Sequence, residues 1–179
     1  MKIMVETSAR HVHLTQEHLD ILFGKGYALT PKKDLSQPGQ FACVEKVEVV
    51  GPKGSLKMSI LGPVRPETQI EISKTETRTL GIDAPLRMSA DLEGTPGCKI
   101  IGPKGEITVD KGVIVAKRHA HFTPDDAKVF GVTDGQAIQI KLDYNGRSLI
   151  FGDVIARVSK TAGLAVHIDT DEANAAGLT

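Results

Sequence analysis

The sequence predicts a mainly β protein with short α-helices as lids, arranged as two similar half-sized domains that arise from an internal duplication. Three observations carry this. Short alternating runs are separated by turn residues, 18 Gly and 9 Pro in a chain of 179. Helix signals are few and brief. The hexamer Arg10-His11-Val12-His13-Leu14-Thr15 recurs as Arg118-His119-Ala120-His121-Phe122-Thr123. Many short strands at close spacing point to small barrels or a sandwich.

The strands come in hairpins. Val44, Val47 and Val49 lead into Gly51-Pro52-Lys53-Gly54, in which Pro is preset for the second turn position and Gly suits the last. Beyond it Leu56, Met58 and Ile60 alternate with Ser55, Lys57 and Ser59, the period of a half-buried strand. Gly102-Pro103-Lys104-Gly105 repeats the turn between Ile100-Ile101 and Ile107-Thr108-Val109. A third hairpin runs from Ala137–Ile140 through Asn145-Gly146 to Ser148–Phe151, Asn-Gly tolerating the positive φ of a tight turn. Further strands are expected at Gln69–Ser73, Val113–Ala116, Val154–Val158 and Leu164–Ile168. Helices are expected over Gln16–Phe23 (cap Thr15, stop Gly24), after Thr123 with Pro124 in the first turn and Gly131 as stop, and over Asp171–Ala176 (cap Thr170, stop Gly177).

Composition narrows the function. Lys+Arg and Asp+Glu are both 22, so the formal charge is zero, and neither nucleic acid nor an anionic membrane surface is expected as a partner. With no Trp and 4% aromatic residues, base-stacking platforms are not expected either. No apolar run approaches the roughly 20 residues of a membrane span. The N-terminus meets Glu6 at once and has no signal-peptide core, so a cytoplasmic protein is expected. Cys43 and Cys98 fit a reducing compartment, as buried apolar thiols. Oligomeric state is left open, a homo-oligomer included.

The repeated hexamer carries specific chemistry. On a strand, residues i and i+2 share a face about 6–7 Å apart, so two imidazoles can converge on one cation. A lone His-x-His is more often a surface pair. The same hexamer twice, each followed by a capped helix, favours metal. Four of the 6 histidines lie in these pairs. A third ligand must come from elsewhere, and His167 and Glu71 are the candidates. On the Gln69–Ser73 strand, Ile70 and Ile72 would face the core and leave Gln69, Glu71 and Ser73 on a polar face. His18 reads as a solvated helix residue. Arg65 by itself would be one surface arginine among many.

The segments SARHVHLT (8–15), QPGQFA (37–42), VGPKGSLKMSILGPVRPETQIEIS (50–73), TRTLGIDAPLRMSADLEGTPG (77–97), GVIVAKRHAHFTP (112–124) and HIDTDEANAAG (167–177) give the chain a resemblance to the PduL-type phosphotransacylases, or phosphate propanoyltransferases. The resemblance implies transfer of an acyl group between coenzyme A and inorganic phosphate, in settings such as propanediol degradation. It implies two β-barrel domains capped by short helices, one formed by residues 10–116 and the other by 1–9 with 117–179. It implies two divalent metal ions, zinc as the expected identity, in an active site between the barrels. Carried over by motif, His11, His13 and Glu71 would hold one ion and His119, His121 and His167 the other. Arg65 matches the family's catalytic arginine, and Arg87 and Ser89 lie in a block expected to bind substrate. Encapsulated members carry an N-terminal targeting extension, whereas nine residues precede Arg10 here, so a cytoplasmic enzyme is expected.

Three protein ligands per ion leave a coordination position open, which suits catalysis. One ion is expected to hold the CoA sulfur, the other, with Arg65, the phosphate, which attacks the thioester directly. Two rival readings fit the same residues: a dinuclear metallohydrolase such as a thioesterase or phosphatase, and a non-catalytic metal-binding barrel module.

Overall fold

A computed structural model describes residues 2–144 and 146–178. The fold is mainly β, 39% strand and 16% helix, with a sheet curled as a half-barrel. The elements in chain order begin β1 (Val5–Thr7), β2 (His11–His13), α1 (Gln16–Phe23), β3 (Pro31–Asp34), β4 (Phe41–Val50), β5 (Ser55–Gly62), β6 (Gln69–Glu71) and α2 (Lys74–Leu80). They continue with β7 (Leu86–Arg87), β8 (Cys98–Ile101), β9 (Glu106–Val109), β10 (Val113–Ala116), β11 (His119–Phe122), α3 (Pro124–Phe130), β12 (Ala137–Leu142), β13 (Leu149–Val158), β14 (Ala165–Ile168) and α4 (Thr170–Ala176). Among the described residues no helix is long and apolar enough to cross a membrane.

The chain forms two compact units. One comprises Arg10–Leu35 and Gly39–Ala116. Its sheet runs β7-β10-β6-β2-β5-β4-β8-β9, with β3 added on β4. Alternation along β5 buries Met58 and Ile60, and β4 adds Val47 and Val49; these meet Leu14, Leu19, Leu22 and Ile100 in one core. Burying an aliphatic side chain of this size is worth about 1.5–3 kcal/mol. Burial alternates without a break from Cys43 to Val49, so Val44, an odd number of residues from Val47 and Val49, points outward, and Glu45 takes the inward position, where it accepts from the Tyr27 hydroxyl at 2.9 Å.

Both Gly-Pro-Lys-Gly turns close hairpins, and both also cap a helix. The Lys53 N–H donates to the Leu80 carbonyl at the end of α2, and the Lys104 N–H to the Leu22 carbonyl near the end of α1, each at 3.0 Å. Terminal helix carbonyls that would otherwise be orphaned are thereby satisfied. The approach is close: a Cβ at Gly51 would lie 2.3 Å from the Leu80 oxygen, and one at Gly102 2.6 Å from the Leu22 oxygen.

The second unit contains the residues up to Ala9, Ser36–Pro38 and those from Lys117 onward. Its sheet runs β1-β14-β11-β13-β12 over a core of Phe122, Val154, Val166 and Ile168. Ser36–Pro38 joins it through Gln37, whose amide donates to the Gly163 carbonyl (2.9 Å) and accepts from the Gly163 N–H (3.2 Å). A Cβ at Gly163 would lie 2.2 Å from the Ser36 oxygen, so only glycine lets the two backbones meet.

The helices expected after Thr15 and Thr123 have those caps, with the hydroxyls accepting from the His18 and Asp126 N–H. Four differences from the sequence reading stand out. The last helix starts one residue earlier, because Asp169 is the cap and closes a reciprocal box with Glu172. Helix α2 was not expected, since its segment KTETRTL is rich in poor helix formers; Ser73 and Glu76 nucleate it with the same box. The two runs Ser148–Phe151 and Val154–Val158 fall on one strand, β13, continuous through Asp153 at φ 52°. Strand β3, Pro-Lys-Lys-Asp, is an exposed edge with no apolar period to announce it. The β12–β13 hairpin is formed; Asn145 of its expected turn lies outside the described residues.

Candidate functional site

In the first unit, β2 lies between β5, to which it is parallel, and β6, to which it is antiparallel. The antiparallel register sets His11 opposite Glu71 and His13 opposite Gln69. The His11 and His13 ring centroids are 4.9 Å apart, and His11 Nε2 is 3.5 Å from Glu71 Oε2. One donor atom from each of His11, His13 and Glu71 falls within 4.8 Å of the other two. All three are buried, with exposures of 5%, 2% and 8%. Three convergent donors of this kind match the set that divalent zinc takes at an open site. The His13 Nδ1 faces the Leu61 carbonyl at 3.3 Å, which leaves Nε2 as its outward lone pair.

The second unit builds the same pattern from other strands. β11 is parallel to β13 and antiparallel to β14, and His119 stands opposite His167. The three ring centroids of His119, His121 and His167 are 4.8–5.2 Å apart. Their donor atoms also lie within 4.8 Å of one another. The His119 Nδ1 sits 2.8 Å from the Lys117 carbonyl. His167 Nε2 has Glu6 Oε2 at 3.1 Å and Ser36 Oγ at 3.2 Å.

The electrostatics keep the rings fit to donate. Burial, and then the neighbouring His11 and Arg65, push the His13 imidazole down from 6.5 to about 3. Burial, followed by His119, His167 and Arg157, lowers His121 to about 3 as well. Both rings are therefore neutral at pH 7, the form that ligates metal.

Arg65 is tied to the first triad. Its backbone N–H donates to the Leu14 carbonyl (2.8 Å), one residue beyond β2. Its guanidinium Nη1 donates to Ser89 Oγ at 3.2 Å. That oxygen also accepts from Gln69 Nε2 at 2.9 Å, and the same amide donates to Glu71 Oε1 at 2.5 Å. Gln69 is itself held by the Ala90 N–H, 2.7 Å from Oε1, with Ala90 in the left-handed region at φ 77°. A continuous hydrogen-bonded run thus joins the guanidinium to the carboxylate of the triad. Arg87 ends β7 and faces Asp91, with Nε 3.7 Å from Oδ2.

The polar face expected for Gln69–Ser73 is not solvated. Gln69, Glu71 and Ser73 are 2%, 8% and 4% exposed, because β6 is covered on both faces. Alternation alone marks Gln69 as a surface residue, and only its spacing of two from Glu71 hints otherwise. His18 is not free in solvent either, its Nδ1 lying 2.7 Å from Thr68 Oγ1. Cys43 and Cys98 are buried, and burial raises their thiols to about 11 and about 12.

A mainly β fold thus carries two clusters of metal-ligand type, with the half-buried Arg65 joined by hydrogen bonds to one of them. The family model described as phosphate propanoyltransferase matches residues 4–179. A phosphate propanoyltransferase of Thermotoga maritima is 54% identical over 177 residues, covering 98% of this chain and 84% of that protein. One of Clostridioides difficile is 54% identical over 176 residues with the same coverage, and one of Leptotrichia buccalis is 53% identical over 178 residues, covering 98% and 83%. The chain belongs to the phosphate propanoyltransferase family and is an acyltransferase.

Proposed function

We propose that the protein interconverts a short-chain acyl-CoA and inorganic phosphate with an acyl phosphate and CoA by direct attack. Two divalent ions, zinc in the first instance, would serve the reaction, one held by His11, His13 and Glu71 and the other by His119, His121 and His167. The observation that carries this reading is the run from Arg65 through Ser89 and Gln69 to Glu71. It couples a guanidinium suited to anions to the carboxylate of the triad through one hydroxyl and one buried amide.

When bound, the ions supply Lewis-acid polarisation of the reacting oxygens and a soft partner for a thiolate sulfur. The remaining chemistry falls to the chain. Arg65 offers planar donors that match two phosphate oxygens. Ser89 Oγ accepts from Arg65 and Gln69, so its own O–H is directed to a further acceptor, such as a phosphate oxygen. A phosphate oxygen attacks the thioester carbonyl carbon, the C–S bond breaks, and its electron pair leaves with the CoA sulfur. Arg65 stabilises the tetrahedral oxyanion. Holding both substrates in line supplies much of the acceleration, effective molarities reaching about 10⁵ M or more. Arg87 would bind the substrate's outlying anionic groups.

Thiol release from a series of acyl-CoAs, with and without phosphate, before and after chelation, tests the proposal. Release that depends on phosphate and on metal, with acyl phosphate formed in equal amount, is expected. Release without phosphate would identify a thioesterase instead.

A further inference from the structure

The arginine that opens each His-x-His strand makes the same ion pair in both units. Arg10 Nη1 lies 2.6 Å from Glu76 Oε1, and Arg118 Nη1 lies 2.9 Å from Glu172 Oε1. The two glutamates are equivalent. Each is the third residue of a helix that follows directly on the strand bearing the third member of a triad, α2 after Glu71 and α4 after His167. Each closes a capping box with its other oxygen, Glu76 Oε2 accepting from the Ser73 N–H at 2.8 Å and Glu172 Oε2 from the Asp169 N–H at 2.9 Å. Ser73 and Asp169 stand two residues beyond Glu71 and His167.

Each arginine also grips the strand parallel to its own. Arg10 Nε donates to the Lys57 carbonyl on β5 at 3.2 Å. Arg118 stacks over the Phe151 ring of β13, 5.0 Å from the centroid, and its own carbonyl accepts from the Ile155 N–H of that strand. Three elements therefore meet at one guanidinium in either unit: the His-x-His strand, its parallel neighbour and the helix that ends the third-ligand strand.

We propose that Arg10–Glu76 and Arg118–Glu172 are positioning pairs, each locking the third ligand of its triad against the histidine pair. This rests on the metal-binding reading above. Stability alone does not explain why the pairs recur. Arg10 and Glu76 are 42% and 11% exposed in their side chains, and Arg118 and Glu172 26% and 20%, so both pairs are part-buried and contribute to folding as well. Yet the geometry recurs with unrelated neighbours, a backbone carbonyl in one unit and an aromatic ring in the other. What the two occurrences share is the connection to a triad. Sliding the helix relative to β2 or β11 would carry Glu71 or His167 out of register with its partner histidine. Neither arginine has an assigned contact with substrate.

The test is a set of single variants, Arg10→Gln, Glu76→Gln, Arg118→Gln and Glu172→Gln. Glutamine at the two acidic positions preserves the capping box and removes only the charge. Zn²⁺ affinity is measured by competition with a chromogenic chelator on the full chain, and the thermal midpoint is measured on the metal-free protein. Weakening of one of two bound ions by about 10–100-fold, the scale of lost outer-sphere support, is expected in each variant. The metal-free thermal midpoint should fall modestly, because a part-buried charge loses its partner, and Arg10→Lys should restore part of the affinity. Loss confined to the metal-free thermal midpoint, with Zn²⁺ affinities unchanged, would overturn the proposal. If the wild-type chain itself binds no Zn²⁺, the metal reading fails and this inference goes with it. Two ions bound equally by wild type and all four variants would sink the inference alone.

Discussion

Glu71 stands directly opposite His11 across the antiparallel β2–β6 ladder, its Oε2 3.5 Å from the imidazole Nε2. His167 holds the corresponding place opposite His119 on β14. Side chains on directly paired strand residues are held about 4.5–5.5 Å apart at Cβ, so an i, i+2 pair plus its cross-strand partner makes a three-donor cluster from backbone pairing alone. The same device appears twice, with a carboxylate in one case and an imidazole in the other.

Removal of one histidine from either cluster should therefore lower metal content selectively. His11→Ala and His119→Ala are each expected to lose one of two bound ions per chain while the other remains. Elemental analysis after gel filtration measures this. Two ions retained in both variants would refute the ligand assignment.

Arg65 lies beside the first triad without belonging to it, and its backbone is anchored independently of its guanidinium. Arg65→Ala should leave the circular dichroism spectrum and the metal content intact and lower turnover by about 10²–10³-fold, the usual effect of removing one oxyanion donor. Turnover near the wild-type value would exclude the role.

The lowered imidazoles of His13 and His121 make the metal-free protein acid-sensitive. In the unfolded chain both titrate near 6.5, whereas in the folded chain they take up protons only at about 3. Between these values the unfolded state binds more protons, so acidification favours unfolding and stability rises with pH. The urea midpoint of chelator-treated protein should fall steadily from pH 6.5 towards pH 3. A midpoint that is flat over that window would show that the two rings protonate in the folded state without penalty.

The buried thiols bear on the chemistry. Cys43 and Cys98 ionise at about 11 and about 12, so at pH 8 almost none is thiolate. Iodoacetamide should not label the native protein at pH 8, and labelling should appear in denaturant. Enzyme quenched with acyl-CoA alone should carry no acyl adduct on either cysteine or on any serine by mass spectrometry. A kinetically competent adduct would replace direct attack with a covalent route.

Much of this was legible in the chain. The Gly-Pro-Lys-Gly hairpins, the caps at Thr15 and Thr123, and both His-x-His pairs follow from local rules, because turn chemistry, capping and strand alternation act within a few residues. Helix α2 was not legible, although its capping box is. Ser73…Glu76 and Asp169…Glu172 match in spacing, as do their closing Gly81 and Gly177, but three threonines and an arginine obscure the helix period. The burial of Gln69 was not legible either, since alternation predicts which residues share a face and not whether a second layer covers that face.

The sequence by itself determined a β-rich chain, two copies of a strand bearing paired imidazoles, and the short capped helices behind them. The order of strands in each sheet was decided only by the tertiary structure, and with it the partners of those imidazoles. Glu71 is 60 residues from His11, and His167 is 48 from His119. No short-range preference spans such distances. Register does, because a slip of one residue would turn each buried face outward and expose the core beneath it.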